Sequence, residues 1–574
     1  LLFGCGGNRD QNKRLKMGKI ADNFSDEIYL TDDNPRYENP NKIRKEIIKG
    51  IRKSKYFEIS NRSTAIKTAI LNSNFGEIIL VAGKGHETTQ DYGKLIKNIS
   101  DTSIIRDIKF DKKVFNPKKL NEQHNSEILS SILRNNKRYK FNEISINSKK
   151  IKKRNLFVCI KGKNKDGHDF ISEAIDKGAS YYVSSQKAQL YKRKKISYEN
   201  TNLFLKKIKK TKREKFNAKI IAITGSAGKT SLKFLIAKLL IFFGDTYFSP
   251  KSYNNQIGVP LSLSNLKFTD NYGVFEVGMS KKGEIKNLSN IVKPDVAIIT
   301  NVAEAHIENF HDLKGIASAK AEIIQNIKDN GTIILNHDDK FFNFFKKIAD
   351  KRKIRVVSFG SNKKSNIKLL STSKKRNYFV SSIKVFDSVF RVKYKELNIY
   401  NILASIALLS TLNLDINKIL KSYLKFQSLS GRGKISKIKR FNKSFKLIDE
   451  SYNANPLSVV KSISNLSKLK NHKSKKYVLL GDMLELGKWS DFHHKNLSKV
   501  INKSNISKLF VYGLNVMNTY KHTMVKKRGN ILQNLNDFDG VFKNVINKND
   551  YLMIKGSNST GLYKISEKLI KESN

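Results

Sequence analysis

The stretch KIIAITGSAGKTS at residues 219–231 has the pattern of a buried β-strand, a glycine-rich turn and the start of a helix. In that order, backbone N–H groups and the helix N-terminus form a cradle for phosphate oxygens. Lys229 would reach the outer phosphates, and Thr230 would offer a hydroxyl to Mg²⁺. We therefore predict a nucleotide site, with an ordinary strand-to-helix turn as the alternative. The other residues of the predicted loop are Gly225, Ser226, Ala227, Gly228 and Ser231.

Further predicted strands follow at 273–279, 296–302 and 331–336, and they alternate with helical segments. This alternation predicts a doubly wound α/β sheet, in which ligands bind at the carboxyl ends of the strands. Glu276 and His306 each stand just beyond such a strand and could hold a divalent ion against the nucleotide. In isolation, a solvated turn carboxylate for Glu276 and a helix-start histidine for His306 are the favoured interpretations. Lys320 lies on a predicted helix, where surface charge is the default interpretation.

The composition predicts several folded domains. The 574 residues exceed one ordinary core, and 39% hydrophobic residues argue against wholesale disorder. Cys5 and Cys159 are the only cysteines, which excludes a disulfide framework or a cysteine zinc site and favours a reducing, cytoplasmic setting. The longest apolar runs are too short for a transmembrane helix or a signal peptide.

The net charge of +60 invites a nucleic-acid or membrane-surface interpretation. Such a partner needs basic residues gathered on one patch. Lysine is instead spread along the whole chain beside abundant Asn, Ile and Phe. We favour solvated lysine-rich faces and expect no nucleic-acid partner, with a polyanion-binding surface as the alternative.

The order of the predicted elements divides the chain into blocks. Residues 1–110 alternate strands (1–5, 27–34, 77–85) with helices (41–53, 63–72), and 111–125 are polar and predict a linker. A small mixed block at 126–210 precedes a central block at 211–428 and a last βα block at 429–574. The first and last blocks resemble each other in plan. The chain starts inside a predicted strand without Met, so we expect residue 1 to be a cut point or fragment end.

Seven motifs with large spacings resemble the Mur ligases, specifically the MurF type, over about residues 120–574. They are TGSAGKTS (224–231), YNNQIGVPLSL (253–263), FEVGMSKKGEI (275–285), TNVAEAHIENF (300–310), AKAEI (319–323), DESYNANP (449–456) and LGDMLELG (480–487). The SYNANP motif separates the chain from the related folylpolyglutamate synthases. The resemblance implies a P-loop central domain, Rossmann-like C-terminal domains and a small α/β N-terminal substrate domain.

The resemblance also implies roles for individual residues. Lys229 and Thr230 match the ATP-loop lysine and the Mg²⁺-binding hydroxyl, and Glu276 and His306 match ligands of a second Mg²⁺. Lys320 matches a lysine that is carbamylated in many Mur ligases, and Arg432 matches an arginine near the phosphates. The implied nucleotide contacts are Asn401, Asp449, Tyr452, Asn453 and Asn455. The implied substrate contacts are Ser148, Lys161, Asp166, Gly167, His168, Asn254, Asn255 and His494.

Four positions depart from the family pattern. Asn147 and Lys149 stand where Asp and Arg are usual, Leu397 where His is usual, and Asn558 where Arg is usual. These departures concern uridine and adenine contacts, and they leave every implied magnesium ligand in place.

Residues 1–110 carry a separate resemblance, to the C-terminal domain of MurE-type ligases, which add meso-diaminopimelate. It rests on GCGGNRD (4–10), TDDNPR (31–36) and LVAGKGHE (80–87). Arg9 and Arg36 would bind a carboxylate, and the distal polar groups would meet Asn34, Gly83 and Glu87. No second phosphate loop precedes this block in the sequence, so we expect the tail of a MurE–MurF fusion that lacks the MurE activity, with a missing MurE portion in the parent chain as a possible partner.

The predicted reaction is ATP-dependent amide ligation in cytoplasmic peptidoglycan precursor synthesis, with two Mg²⁺ ions. The resemblance implies that UDP-MurNAc-tripeptide is activated as an acyl phosphate and joined to D-Ala-D-Ala. A P-loop nucleic-acid ATPase and an inactive fusion remnant are the alternatives.

Overall fold

The computed structural model describes residues 1–73, 77–107, 117–162, 165–186, 191–375, 378–469 and 474–573. They form two compact units, 1–120 and 121–574. No helix of the described residues is long and apolar enough to cross a membrane.

The first unit is built on three parallel strands, Leu2–Phe3, Glu27–Leu30 and Lys55–Glu58. Because side chains alternate along a strand, Ile28 and Leu30 pack on one face of the sheet and Tyr29 packs on the other. The helices of this unit are Asn12–Phe24, Pro40–Ile48, Arg62–Asn72 and Asp101–Asp107, and a hairpin joins Thr89–Asp91 to Ile96–Asn98.

The strand predicted at 77–85 is not formed. Val81 makes a single parallel bridge to Leu2, while Ile78 is 92% exposed and Leu80 is 61% exposed. A segment paired on one side by one bridge buries too little apolar surface to extend into a regular strand. The strand Lys55–Glu58 and the hairpin were not predicted, because each of their three short strands has at most two adjacent apolar residues.

The linker predicted at 111–125 is partly wrong. Residues 117–133 form the helix Pro117–Leu133, and 111–116 lie outside the described residues. Its Ile128 and Leu129 are buried, and the Asn125 amide donates to the carbonyls of Phe141 and Asn142. The two apolar residues and the one buried amide therefore fix a helix that a polar composition does not suggest.

Next along the chain is a small parallel sheet of Ile144–Ser145, Leu156–Val158, Tyr181–Ser184 and Lys195–Ser197. The helices Ile171–Asp176 and Thr201–Lys215 and the short 3-10 helices Ser148–Lys150, Gly167–Phe170 and Lys192–Lys194 accompany it.

The central sheet has nine strands among the described residues, in the spatial order Thr246–Phe248, Tyr272–Glu276, Lys219–Thr224, Val296–Ile299, Thr332–Asn336, Arg355–Gly360, Ile367–Lys374, Phe379–Val385 and Ser388–Tyr394. The first seven strands run parallel, and each of the last two pairs antiparallel with the strand before it. Its helices are Lys229–Leu240, Gly258–Ser264, Glu284–Val292, Leu313–Ala321, Phe342–Lys351, Ile399–Thr411 and Leu420–Lys425.

These helices cover both faces of the central sheet. Ile220 and Ala222 belong to one buried core, and Ile221 and Ile223 belong to the other. The predicted doubly wound α/β fold is therefore confirmed. The strand Lys219–Thr224 lies between Tyr272–Glu276 and Val296–Ile299, so the ends of these three strands meet at one edge.

The last sheet has the order Lys434–Arg440, Lys443–Glu450, Tyr551–Lys555, Lys476–Gly481, Lys508–Tyr512 and Arg528–Ile531. Its helices are Pro456–Ser467, Ser490–Lys503, Met517–His522, Phe538–Lys543 and Tyr563–Ser573. In the last four strands of this sheet, the strand that comes last in the chain lies beside the first of three consecutive parallel strands. In the first unit, residue 81 lies in the same way beside the first of its three strands. This agrees with the predicted likeness of the two blocks.

Candidate active site

A cavity of about 1740 Å³ lies at the carboxyl ends of the central strands. Much of its lining comes from the phosphate-loop candidate, residues 225–231, and from residues that follow the neighbouring strands, including Glu276 and His306. The C-terminal sheet contributes a further wall around Arg432 and Tyr452. The sequence-predicted nucleotide and metal residues therefore largely share one cavity.

Neighbouring strands hold the loop in its conformation. Gly225 has a φ of +145°, and a Cβ there would lie 1.9 Å from the Thr300 hydroxyl, so only glycine fits. Thr300 donates to the carbonyl of Ala227 (2.7 Å), and the Asn301 side chain accepts from the Ala227 N–H (2.9 Å). Ser226 donates to the carbonyl of Ala303 (2.9 Å). These bonds pre-organise the loop at the start of the helix Lys229–Leu240.

A buried carboxylate faces the loop. Glu276 ends its strand and is 1% exposed. One of its oxygens accepts a hydrogen bond from the Thr230 hydroxyl (2.7 Å), and the other accepts from the Asn254 amide (2.8 Å). The structure thus joins two predicted metal ligands directly and fixes the orientation of both.

Cationic side chains share the cavity with this carboxylate. Lys229 donates to the carbonyl of Gly225 (2.7 Å), and burial lowers its pKa while Glu276 opposes that change. Lys320 is 3% exposed and lines the same cavity. Burial, reinforced by Lys229, lowers the pKa of Lys320 well below its ordinary value. The cluster suits a polyanion, and the buried lysines lose their protons more easily than exposed ones.

His306 lines the cavity but contacts another acid. Its Nδ1 lies 2.7 Å from a carboxylate oxygen of Glu485, and the interaction with His306 lowers the pKa of Glu485. Within the described ranges, no group of three or more His, Cys, Asp and Glu side chains is arranged to hold a metal ion. The predicted metal set of Thr230, Glu276, His306 and Lys320 is therefore only partly brought into mutual contact.

The C-terminal block reaches the loop through polar contacts. Arg432 donates to the Ser252 hydroxyl (3.2 Å), which lies 3.2 Å from that of Thr230, and its guanidinium stacks on Tyr452. Asn455 donates to the carbonyl of Ser226 (3.5 Å). The predicted nucleotide residues Asn401, Asn453 and Ser231 line the same cavity.

Two of the predicted ligand residues, Asp449 and His494, do not line the cavity. Asp449 is buried, and its carboxylate accepts from the Gly431 N–H (2.6 Å) and the Ser451 hydroxyl (2.6 Å), so it supports the turn that carries Arg432. His494 is 0% exposed, and its Nε2 accepts from the Met483 N–H (3.3 Å). Both side chains are enclosed by the C-terminal block because their strand and helix point them into its interior.

The other predicted substrate residues divide between two places. Asn254 and Asn255 line the main cavity, and the Asn255 side chain accepts from the Gly258 N–H (2.8 Å). The remaining five lie in the small domain and are absent from the lining of the main cavity: Ser148, Lys161, Asp166, Gly167 and His168.

Within the small domain, Nδ1 of His168 lies 2.5 Å from the Asp166 carboxylate, and residue 161 bridges to 166 through the backbone. Ser148 donates to Glu173 (2.6 Å). Lys150 donates to the Tyr253 hydroxyl (2.8 Å), one residue before Asn254. This bond connects the small domain to the edge of the main cavity.

The first unit brings its predicted residues together at one end of its sheet. Asn34 donates to Glu87 (2.9 Å), and a Cβ on Gly83 would lie 2.9 Å from Asp33, so this glycine allows a close approach. Arg9 and Arg36 both lie within 4 Å of where a Cβ on Gly6 would stand.

Lys84, which was not predicted, is fully buried there and donates to Asn34 (2.9 Å) and Glu87 (3.0 Å). The KGHE motif contains this residue, but nothing in the sequence indicates that its ammonium group is enclosed.

Four other residues at the main site were missed: Ser252, Lys233, Asn301 and Glu485. Asn301 lies in the motif TNVAEAHIENF and Glu485 lies in LGDMLELG, so the sequence did contain a signal for these two residues. Ser252 and Lys233 look like common surface residues in the sequence. Of the departures, Leu397 lines the cavity, whereas Asn147 caps the turn at Lys149 and Asn558 is exposed.

Comparison with known proteins agrees with this architecture. Residues 223–409 match the Mur ligase middle domain, 140–223 the Mur ligase family catalytic domain, and 1–85 the Mur ligase glutamate ligase domain. The chain is 35% identical over 458 residues to the UDP-N-acetylmuramoyl-tripeptide–D-alanyl-D-alanine ligase of Buchnera aphidicola subsp. Acyrthosiphon pisum, covering 75% of this chain and 94% of that protein. The corresponding Rickettsia prowazekii ligase is 32% identical over 74% of this chain and 94% of its own length.

Solved structures give the same result. The crystal structure of MurF from Thermotoga maritima in complex with ADP has a TM-score of 0.63 and 26% identity, and the match covers 75% of this chain and 97% of that one. MurF from Acinetobacter baumannii shares the fold with a TM-score of 0.67 at 22% identity, over 78% of this chain and 98% of that one. The predicted fold and the predicted MurF resemblance of about residues 120–574 are confirmed. The chain belongs to the Mur ligase family, in the MurF group of these relatives.

Proposed function

We propose that residues 121–574 join D-alanyl-D-alanine to UDP-N-acetylmuramoyl-tripeptide in an ATP-dependent ligation. The main observation that supports this proposal is the hydrogen bond from the Thr230 hydroxyl to the buried Glu276 carboxylate (2.7 Å). Both residues line the cavity together with the pre-formed phosphate loop and several cationic side chains. The family membership and the names of the relatives support the same substrates. The use of ATP and of a nucleotide-linked precursor fits a reaction in the cytoplasm.

In this reaction the terminal carboxylate of the tripeptide takes the γ-phosphoryl group of ATP, and ADP leaves. The amine of D-Ala-D-Ala attacks the acyl phosphate, loses a proton, and phosphate departs from the tetrahedral intermediate. The backbone N–H groups of 225–230 hold the phosphates, and Lys229 and Arg432 offset the charge that develops on the transferred group. The protein contribution is mainly positioning and charge neutralisation.

The donor set fits magnesium, a hard cation that prefers oxygen ligands. Thr230 and Glu276 supply a hydroxyl and a carboxylate already oriented toward each other. When bound, Mg²⁺ neutralises phosphate charge and polarises the transferred phosphoryl group. His306 and Lys320 would help to hold a second ion, Lys320 in carbamylated form.

Carbamylation of Lys320 is chemically consistent with its surroundings. The reaction with carbon dioxide requires a neutral amine, and burial lowers the pKa of Lys320. The product replaces an ammonium group that would repel a metal ion with an anionic oxygen ligand. Glu485 would have to release His306 before the imidazole could bind a metal through Nδ1.

The small domain is the proposed site for the uridine diphosphate part of the precursor. Asp166 and His168 form an ordered pair there, and the Lys150–Tyr253 bond links this domain to the residues beside Glu276. An extended precursor could therefore present its peptide to the phosphate loop while its nucleotide stays on the small domain.

The test is ADP release with the tripeptide precursor and D-Ala-D-Ala. The wild-type chain should release ADP continuously only when both the tripeptide precursor and D-Ala-D-Ala are present. Lys229→Ala should lower the rate of ADP release by about a thousandfold or more. Lys219→Ala is the control. It alters an exposed lysine at the start of the strand that leads into the loop, and it should leave the rate of ADP release unchanged. Undiminished turnover in Lys229→Ala would refute the assigned loop, and no turnover in the wild type would favour an inactive remnant.

We further propose that residues 1–110 bind an amino acid that carries a second ammonium and carboxylate, as a MurE-type C-terminal domain. Support comes from the glutamate ligase domain match at 1–85 and from the grouping of Arg9, Arg36, Asn34 and Glu87. The fusion with a MurE-type ligase is part of this proposal.

Calorimetry on the full chain tests it with meso-diaminopimelate and L-lysine. The first ligand should bind at least about tenfold more tightly, because only it has the distal carboxylate for an arginine fork. Arg36→Ala should remove that preference. Equal binding of the two ligands, or none, would contradict the proposal.

A further inference from the structure

Lys233 is a buried cation that the proposed mechanism does not use. It stands one helical turn after Lys229, is 0% exposed, and its ammonium group donates to the carbonyl of Lys251. A buried ammonium group is unfavourable unless it is paired, so the fold retains this charge next to specific partners.

The charged partner of Lys233 is the carboxylate at the centre of the site. Its Nζ lies 3.7 Å from the Glu276 oxygen that also accepts from Thr230. Lys229 does not replace it, because the Lys229 ammonium group donates to the carbonyl of Gly225 (2.7 Å). Lys233 is therefore the lysine ion-paired with Glu276 among the described residues.

Lys233 also connects Glu276 to the segment on its other side. Lys251 directly precedes Ser252, which contacts both Thr230 and Arg432, and Asn254 donates to the second Glu276 oxygen (2.8 Å). One ammonium group thus ties the carboxylate, the 251–254 segment and the helix of the phosphate loop together.

We propose that Lys233 is a positioning residue that orients Glu276 for the magnesium–nucleotide complex. It acts through the carboxylate and does not touch the nucleotide. Without it, Glu276 keeps its hydrogen bonds to Thr230 and Asn254 but loses its ion pair, and the 251–254 segment loses an anchor. This inference rests on the proposed function, since it presupposes that Glu276 serves the metal.

The test separates metal-dependent from metal-independent nucleotide binding. Calorimetry on the full chain measures the Kd of ADP with Mg²⁺ and with EDTA. In the wild type, Mg²⁺ should tighten ADP binding at least about tenfold. Lys233→Met should reduce this tightening to less than about threefold while leaving the Kd in EDTA within about threefold of wild type.

Two further variants guard the interpretation. Lys233→Gln keeps a donor for the Lys251 carbonyl and removes only the charge, so it should fold even where Lys233→Met does not, and it should lose the same tightening. Lys212→Met is the matched control, since Lys212 is also buried and also donates to a carbonyl, that of Leu266 (3.1 Å), away from Glu276. Lys212→Met should keep the wild-type tightening of ADP binding by Mg²⁺.

A double variant tests the route of the effect. In a Glu276→Gln background, Lys233→Met should change the Mg²⁺-dependent tightening no further. The inference would be overturned if Mg²⁺ still tightened ADP binding in both Lys233 variants, or if the variants lost as much ADP affinity in EDTA as in Mg²⁺. Either result would leave the proposed function standing. Absence of any Mg²⁺ effect in the wild type would overturn the metal site of the proposed function as well.

Discussion

Buried lysines distinguish this chain at the scale of single residues. Lys233 and Lys320 are enclosed at the active site, where Lys229 is half-buried, and Lys212 is enclosed on the helix Thr201–Lys215. Burial lowers the pKa of Lys233 to about 8 and that of Lys212 to about 7. In a sequence with 110 Lys and Arg residues, none of these can be told from a surface lysine. Only the packing around each side chain separates them.

The enclosed Lys212 should make stability rise with pH. Its folded pKa of about 7 lies below the ordinary 10.5, because desolvation outweighs the opposing effects of Asp270 and Glu143. Between about pH 7 and pH 9 the unfolded chain therefore binds more protons than the folded one, and this group should add about 2 kcal/mol to the free energy of unfolding. Burial raises the pKa of Asp270 to about 6, so that carboxylate is ionised in both states over this range.

Urea unfolding at the two pH values measures this effect. Lys212→Met should reduce the rise in the free energy of unfolding by about 2 kcal/mol, because the variant has no proton to lose at that position, while Lys233 still contributes to the rise. The same rise in wild type and variant would assign the pH dependence to other groups.

At the scale of elements, the site depends on two turns with different supports. The phosphate loop is held by the next strand, through Thr300 and Asn301. The turn that carries Arg432 is held from below by Asp449, at the end of the strand Lys443–Glu450. The DESYNANP motif predicted a nucleotide contact for Asp449, but a motif does not reveal that its carboxylate accepts from the Gly431 N–H.

Gly225→Ala should disrupt the phosphate loop. The new methyl would meet the Thr300 hydroxyl at 1.9 Å, and alanine rarely adopts a φ of +145°. We expect a loss of about 2 kcal/mol or more in the free energy of unfolding, together with loss of ADP binding. Chemical denaturation and calorimetry measure the two effects.

Gly540→Ala is the control for that substitution. Its Cβ would meet nothing within 4 Å inside the helix Phe538–Lys543, so it should stabilise the chain by up to about 1 kcal/mol. A tolerated Gly225→Ala with unchanged ADP affinity would contradict the loop geometry.

Asp449→Ala should weaken both folding and nucleotide binding. It leaves the Gly431 N–H and the Ser451 hydroxyl without their acceptor, at a cost of about 2 kcal/mol, and it frees the turn that presents Arg432. The Kd of ADP should rise by about tenfold, as in Arg432→Ala. Asp415→Ala, at an exposed cap that accepts from the Asn417 N–H, should leave ADP affinity unchanged. An unchanged ADP affinity in Asp449→Ala would show that the turn needs no such support.

At the scale of the whole molecule, the charge of +60 is spread over both units and gives no sequence-level indication of a partner. Positive side chains gather in the cavity, whose lining includes Lys229, Lys320 and Arg432 together with Glu276. The overall field favours anionic substrates in general, and the cavity selects among them by geometry.

Duplex DNA should therefore bind only through screened, non-specific attraction. Retention of DNA should be lost between about 50 mM and about 300 mM KCl, because counterion release dominates such binding. DNA should not stimulate ADP release at either salt concentration. Fluorescence anisotropy and the ADP assay check these outcomes, and DNA-stimulated hydrolysis at the higher salt would favour the P-loop nucleic-acid ATPase.

The α/β class followed from the sequence alone, because strand-loop-helix patterns and strand-end positions are local features. The same local features predicted the phosphate loop and the residues Glu276, His306 and Lys320, which line one cavity. The sequence did not determine the missing strand at 77–85 or the helix Pro117–Leu133, since both depend on which segments pack beside them. Tertiary structure alone decided that Lys233 pairs with Glu276, that Glu485 contacts His306, and that Asp449 and His494 point inward. Such contacts join residues distant in the chain, and their burial and charge arise only when the sheets pack.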